Sequence, residues 1–273
     1  MENNINITEI TEKYFNHYNS KNIIINNNNS FDNVAVIVEP RKHKYLIPVI
    51  KNVMINLGPT WNLHIFGSDN NEQYLKEYLL GSYKFTNLNI NDLNQTSYSL
   101  LLMSLFFWNN IAEENIIIFQ VDSFINNSYY NIPKQYGFIG AVFNFGVTTE
   151  NNVFIDTVSP VGYVYNISGG FSFRRKSVMI NCIKNVTIND IINFRTKNNY
   201  DVCNFKEKYI LMEDSFFANA MSLLNYTLPS PEICNSFCSQ QNIYHNSFAI
   251  HGFDKPYCGF KQKDLEYFFA IKS

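Results

Sequence analysis

NIIIFQVDS, residues 115 to 123, decides how this chain is read. Four consecutive apolar residues, 116 to 119, suit a strand buried on both faces at the centre of a parallel sheet. The run stops at Gln120 and then at Asp122-Ser123. An acid at the end of a buried strand has two readings. It is a turn residue of the Asx kind, or it is a carboxylate that binds a divalent cation and through it a diphosphate.

Outward from this strand the pattern alternates. VAVIVE (34–39) is β-branched and closes on Pro40-Arg41. YLIPVIKNVMINLG (45–58) carries apolar residues at helical spacing and ends on Gly58. WNLHIFGS (61–68) predicts a second strand, with His64 as a satisfied core residue. YLKEYLL predicts a short helix, YKFTNLNI a third strand, SYSLLLMSLFFWNNI (97–111) one buried helix and YGFIGAVF (136–143) a further strand. Strand and helix alternate to about residue 145, which predicts an α/β fold. Its mixed, mostly parallel, Rossmann-like sheet would be flanked by helices. In open sheets of this class, ligands bind beyond the carboxyl ends of the strands. Asp122, Glu39 and Arg41 then share one rim.

Residues 1 to 33 read as a polar, Asn-rich extension, with a short helix in TEITEKYFNHY and a linker at INNNNS. Residues 34 to 273 read as one domain, regular to 145 and less regular from 146. No internal repeat is visible.

Composition narrows the function classes. Hydrophobic residues make up 46% and charged residues 16%, so the chain is globular and not disordered. A net charge of -2 supplies no field for nucleic acid or an anionic membrane. The opening MENNINITEI lacks a basic and then apolar signal pattern, and LLMSLFF is too short to span a bilayer. The expectation is a cytoplasmic protein. Five cysteines without a CxxC predict free thiols in a reducing compartment, not structural zinc. GxSxG, Walker A, HExxH and GxGxxG are all missing.

Three further constellations carry chemistry. In ISGGFSFRR (167–175), Gly169-Gly170 is either a bulge or tight turn before a helix, or a place where backbone approaches a sugar or phosphate. Arg174 and Arg175 are either solvated or fixed donors to an anion. In LMEDSFF, Glu213-Asp214 is either an acidic first helical turn or a general base with an orienting partner. In AIHGFDKPY (249–257), His251 is either a strand residue or a third metal ligand, with Lys255 positioned for a leaving diphosphate.

The order VAVIVEPR, WNLHIFGS, IIIFQVDS, FIGAVF, GGFSFRR, MEDSFF, IHGFDKPY resembles an uncharacterised glycosyltransferase-like family. This is a domain-of-unknown-function group of GT-A fold found in giant viruses, bacteria and protists. The resemblance covers roughly residues 33 to 260. The tail is also similar to the H-x-G-x-x-KPW ending of glycogenin-like transferases, with Gly252 displaced and Tyr257 in the Trp position.

The resemblance implies a nucleotide-sugar donor, of the UDP class, and a glycan or protein acceptor. It implies Asp122 and His251 as ligands of Mn²⁺ or Mg²⁺, with Gln120 where the family motif has its first acid. A neutral amide binds a hard cation less well than a carboxylate. It implies Pro40 and Arg41 near the nucleoside, Gly169, Gly170 and Arg174 at the donor sugar, and Lys255 at the diphosphate. Asp214 would be the base, oriented by Glu213. The 34–145 half would hold the nucleotide and the 146–273 half the acceptor. Three rivals stay open: a catalytically weak binding module of the same fold, a structural protein, and a nucleotidyltransferase.

Overall fold

The computed structural model describes residues 7–126, 130–143, 147–148, 154–155, 166–197, 212–241, 243–255, 258 and 260–269. In chain order, helix α1 (Ile7–Asn19) precedes strand β1 (Asn33–Val38), α2 (Leu46–Leu57), β2 (Asn62–Gly67), α3 (Asp69–Tyr78) and β3 (Lys84–Asn87). Then come α4 (Gln95–Leu102), α5 (Leu105–Asn109), β4 (Asn115–Phe119), β5 (Ser123–Ile125) and β6 (Phe138–Phe143). After them follow β7 (Asn166–Arg175), α6 (Lys176–Asn185), α7 (Ile188–Lys197) and α8 (Glu213–Leu223). The last elements are α9 (Pro231–Phe237), β8 (Cys238–Ser239), β9 (Ala249–His251) and α10 (Gln262–Phe268).

The main sheet has six strands in the order β3-β2-β1-β4-β7-β6. Neighbours among β3, β2, β1 and β4 are parallel, and β7 runs antiparallel to both β4 and β6. The sheet is therefore mixed, mostly parallel and flanked by helices. Its centre is β4, whose five residues are all buried. Each fully buried Ile or Phe side chain there contributes about 1.5–3 kcal/mol relative to exposure. That density is why a plain apolar run specifies the middle of the sheet. His64 stacks on Phe66 at 4.2 Å between ring centroids and pairs through Nε2 with Thr86 Oγ1 at 2.8 Å. Burial lowers its pKa to about 3, so it stays neutral in the core.

A second, three-stranded sheet has the order β8-β9-β5. It matters because His251 pairs with Ser123 in its register. Backbone pairing thus carries a C-terminal residue to the end of β4.

Two expectations are corrected, for the run 97–111 and for the N-terminal segment. The run 97–111 is not one helix: it breaks at Met103-Ser104 into α4 and α5. The Ser104 hydroxyl accepts from Phe107 N at 3.3 Å and caps α5, while Trp108 Nε1 donates to Leu102 O at 2.6 Å across the corner. Of the readings open for Gly169-Gly170 the structure takes the bulge: the pair lies inside the ten-residue strand β7, which leads into α6. The register against β6 slips between Ile167 and Ser172, so the glycines sit in a bulge.

The N-terminal segment is not an appendage. Tyr14 and Phe15 are buried in the core, 4.4 Å between centroids from Phe269 and Tyr45 respectively. Lys51 Nζ donates to Asn19 O at 2.9 Å, a cation at the carboxyl end of α1. The Asn-rich stretch is clamped: Asn27 exchanges two hydrogen bonds with the Leu63 backbone at 2.9 and 2.8 Å. Among the described residues, no helix is long and apolar enough to cross a membrane.

Candidate active site

The parallel register aligns Ile37 of β1 with Phe119 of β4, so Glu39 and Gln120 leave the sheet at the same end. After β4 the chain turns tightly. Ser123 N donates to Gln120 O at 3.1 Å, and Gln120 N donates to Ser123 Oγ at 3.2 Å. The turn is therefore closed by backbone and by Ser123. The Asp122 carboxylate is not used for it.

Asp122 instead meets the C-terminal segment. His251 Nε2 lies 3.4 Å from Asp122 Oδ1, and Lys255 Nζ lies 3.4 Å from Asp122 Oδ2. Gly252 N donates to the Asp122 carbonyl at 2.9 Å, which fixes the two backbones together. His251 Nε2 also lies 3.2 Å from Gln120 Oε1, across 131 positions of chain. Its other ring nitrogen, Nδ1, is 3.5 Å from Ser168 Oγ. Burial alone would raise the Asp122 pKa. The attraction of His251 and Lys255 outweighs it and holds the carboxyl well below the usual range.

The bulge in β7 brings Gly169-Gly170 alongside. Phe171 pairs with Phe119, so the two glycines run beside the turn that follows β4. Ser123 Oγ donates to Gly170 O at 3.2 Å. A methyl group on Gly170 would lie 2.0 Å from His251 Nε2, and one on Gly169 would lie 2.1 Å from Glu213 Oε1 and 2.6 Å from Arg174 Nη2. The room left by the two missing side chains is filled by protein side chains.

Arg174 stands beside Gly169, as the sequence order suggests, but its charge is turned to a protein partner. It is fully buried and pairs with Glu213 Oε2 through Nη1 at 2.7 Å. Its Nε donates to Ser172 Oγ at 3.0 Å, and its guanidinium lies 4.5 Å from the Phe138 ring centroid and 5.5 Å from that of Phe217. Arg175 pairs with Glu114 at 3.2 Å.

Glu213 and Asp214 open α8, as acids do in a first helical turn. They face different partners. Glu213 is neutralised by Arg174. Asp214 is half-buried, and its Oδ1 accepts from Ser215 N at 2.7 Å and its Oδ2 from Gly169 N at 3.3 Å. Burial first, and then the neighbouring Glu213 charge, raise its pKa to about 6. Such a carboxylate is ionised at neutral pH and more basic than an exposed one.

Pro40 and Arg41 stand at the carboxyl end of β1. Arg41 makes a two-pronged contact with buried Glu39, Nε to Oε1 at 2.7 Å and Nη2 to Oε2 at 2.8 Å. Pro40 O accepts from Ser68 Oγ at 2.6 Å. Glu39 thus shapes this loop, a role not read from the sequence. Tyr98 was also missed: its phenol lies beside Gln120 and in range of Glu213 and Asp214. One of eighteen tyrosines, it carries no local signal. Tyr257 lies outside the described residues.

Does this set fit a divalent cation? Among the described residues, no three or more His, Cys, Asp or Glu side chains converge. What converges is one imidazole nitrogen with one carboxylate oxygen 3.4 Å away and one amide oxygen 3.2 Å away. That spacing suits neighbouring ligands of a cation held at about 2.1 Å. Asp122 Oδ1 is buried without a well-aligned hydrogen bond of its own. The donors fit a cation that takes its remaining ligands from substrate oxygens.

The family described as "Protein of unknown function (DUF5672)" matches residues 82–259. No curated protein matches the chain. Two crystal structures of the glycosyltransferase GlyE of Streptococcus pneumoniae TIGR4, one an apo form, are similar at 10% identity over 88% of this chain. Their TM-scores are 0.46 for the apo form and 0.48 for the other, too low to carry an argument about fold or activity. The chain spans 61% of the length of those solved chains.

Proposed function

The chain belongs to the DUF5672 family, and we propose that it is a GT-A-like glycosyltransferase that moves a sugar from a UDP-sugar to an acceptor hydroxyl. One observation carries this reading. An imidazole and an ammonium from the C-terminal segment, His251 and Lys255, meet the carboxylate at the end of the central strand, each at 3.4 Å. A diphosphate site calls for such a mixed set of cation ligand and cation.

Asp122, His251 and the Gln120 amide oxygen would hold Mn²⁺ or Mg²⁺. Bound there, the ion supplies Lewis-acid stabilisation of a leaving diphosphate. Lys255 Nζ offsets the charge that develops on the phosphate oxygen as its bond to the anomeric carbon breaks. Asp214 takes the proton of the acceptor hydroxyl, whose oxygen forms the new bond to that carbon. Its raised pKa makes it a better base than an exposed carboxylate. Glu213, held by Arg174, is fixed in place beside it. Arg41 and Pro40, at the neighbouring strand end, face the nucleoside. A base acting directly on the acceptor corresponds to inversion at the anomeric carbon.

A second reading has an observation of its own. Gln120 stands where an acid would strengthen cation binding, and this favours a module that holds nucleotide-sugar without turnover. Incubation of the chain with UDP-sugars and Mn²⁺ separates the two. UDP release above the no-protein rate supports the transferase. Saturable UDP-sugar binding without release supports the binder. Neither binding nor release removes both.

A further inference from the structure

The bulge in β7 holds more than two glycines. On β6 one residue separates Gly140 from Val142, while on β7 residues 168 to 171 separate their partners Ser172 and Ile167. The backbone of this bulge is tied down by protein groups. Gly169 O accepts from Ser172 Oγ at 3.0 Å, Gly170 O accepts from Ser123 Oγ at 3.2 Å, and Gly169 N donates to Asp214 Oδ2 at 3.3 Å. On the β6 side, a methyl group on Gly140 would lie 2.2 Å from Ser168 O, so the two backbones meet there directly. The bulge is a fixed platform, and Ser168 is its first residue.

Ser168 is buried. Among the described residues its hydroxyl has one hydrogen-bond partner, the His251 ring, across a long contact of 3.5 Å between Oγ and Nδ1. The opposite ring nitrogen, Nε2, faces two oxygens, Gln120 Oε1 at 3.2 Å and Asp122 Oδ1 at 3.4 Å. The bulge therefore meets the imidazole twice, with Gly170 against Nε2 and Ser168 against Nδ1.

The two nitrogens share one hydrogen in the neutral ring. When Nε2 carries it, it points at the two oxygens and Nδ1 accepts. When Nε2 gives its lone pair to a cation, the hydrogen sits on Nδ1, which donates. A hydroxyl suits both arrangements, because it donates or accepts by turning about its Cβ–Oγ bond. A carboxylate or an ammonium suits one of them alone.

We propose that Ser168 is a positioning residue for the cation site: its hydroxyl orients the His251 ring and accepts the Nδ1 hydrogen when Nε2 ligates the cation. The proposal rests on the cation-dependent transferase reading and deepens it. Ser168 acts through His251 and touches neither the cation nor the donor.

The test compares the full chain with Ser168→Ala, which removes the hydroxyl and adds no bulk. Mn²⁺ is titrated calorimetrically at saturating UDP. Ser168→Ala is expected to lose about tenfold or more in Mn²⁺ affinity, as outer partners of metal ligands do, while its affinity for UDP without metal stays at the parent's value. The ring supplies a second readout, which needs no variant at position 168. Nitrogen-15 NMR of the parent with UDP and Mg²⁺ is expected to show hydrogen on Nδ1 of His251 and none on Nε2, the His251 signals being identified by their loss in His251→Gln. Parental Mn²⁺ affinity in Ser168→Ala overturns the assignment and leaves the cation site standing. An equal loss of metal-free UDP affinity marks general damage to the fold and overturns it as well, as does hydrogen on Nε2 in the parent's Mg²⁺ complex. A parent whose UDP binding responds to neither ion removes the cation site itself, and the Ser168 assignment with it. Should Ser168→Ala fail to fold, the NMR readout of the parent decides.

Discussion

Gly170 and His251 are in such close contact that a single methyl group at position 170 would sit 2.0 Å from the imidazole Nε2 and 2.1 Å from its Cε1. The glycine is a condition for the ring's position, and the ring's position is what joins the C-terminal segment to Asp122.

Gly170→Ala is therefore expected to displace His251. The neighbour is a ring in a buried strand, so relief requires backbone movement. Overpacking of this kind costs about 1–3 kcal/mol. Urea denaturation should show the loss of stability, and UDP binding with Mn²⁺ should weaken with it. An alanine variant as stable as the parent would show that the ring has room to move.

Asp122→Asn keeps the size of the side chain and removes its charge. With His251 and Lys255 each 3.4 Å from that carboxylate, loss of the charge should weaken Mn²⁺-dependent UDP binding by more than about tenfold. Loss of even an outer partner of a metal ligand costs that much. Calorimetric titration of Mn²⁺ at fixed UDP checks it. If the variant keeps the parent's metal dependence, Asp122 is not a ligand.

These two positions also show what the sequence reveals. The buried run before Asp122 is unmistakable because four apolar residues in a row have few other uses, and its central place in the sheet follows from that alone. Glu213 and Asp214 are legible as an acidic helix start because that preference is local. The glycine pair is legible only as a break in regular structure. A local rule offers a bulge or a turn, whereas the demand for small residues comes from His251 and Glu213, which are distant in sequence. The surroundings of Arg174 are illegible for the same reason. Nothing nearby says that a guanidinium will be enclosed between Phe138 and Phe217 and neutralised by Glu213. The break between α4 and α5 hangs on one serine hydroxyl. Asn27 looked like linker composition because its role depends on the Leu63 backbone.

The Arg174–Glu213 pair gives a stability prediction. Arg174→Met leaves Glu213, itself buried, without its counter-charge. Breaking a buried pair on one side costs about 3–5 kcal/mol. The double variant Arg174→Met with Glu213→Gln should recover a large part of that loss, since no buried charge remains. Chemical denaturation of the parent, the single variants and the double variant forms the cycle. Simple additivity of the two single losses would mean that the pair does not couple.

Asp214 supplies the pH dependence. Its folded pKa is raised from 3.8 to about 6, by burial first and Glu213 second. A carboxyl with a raised folded pKa binds its proton more tightly in the native state. Its contribution to stability is fully present below the unfolded value and is lost as pH rises through about 6. Asp214→Asn cannot ionise and keeps one oxygen, enough for the shorter bond from Ser215 N, while the bond from Gly169 N to the second oxygen is given up. The variant should therefore gain on the parent between pH 4 and pH 8, by about 1–3 kcal/mol, as read by melting curves across that range. Activity moves the opposite way. The base must be unprotonated to accept the hydroxyl proton, so the parent's transfer rate should climb with pH and level off above about 6. The Asn variant should bind UDP normally and transfer nothing at any pH. A variant whose stability tracks the parent's at every pH, or that still turns over at the parent's rate, assigns the proton transfer to another group.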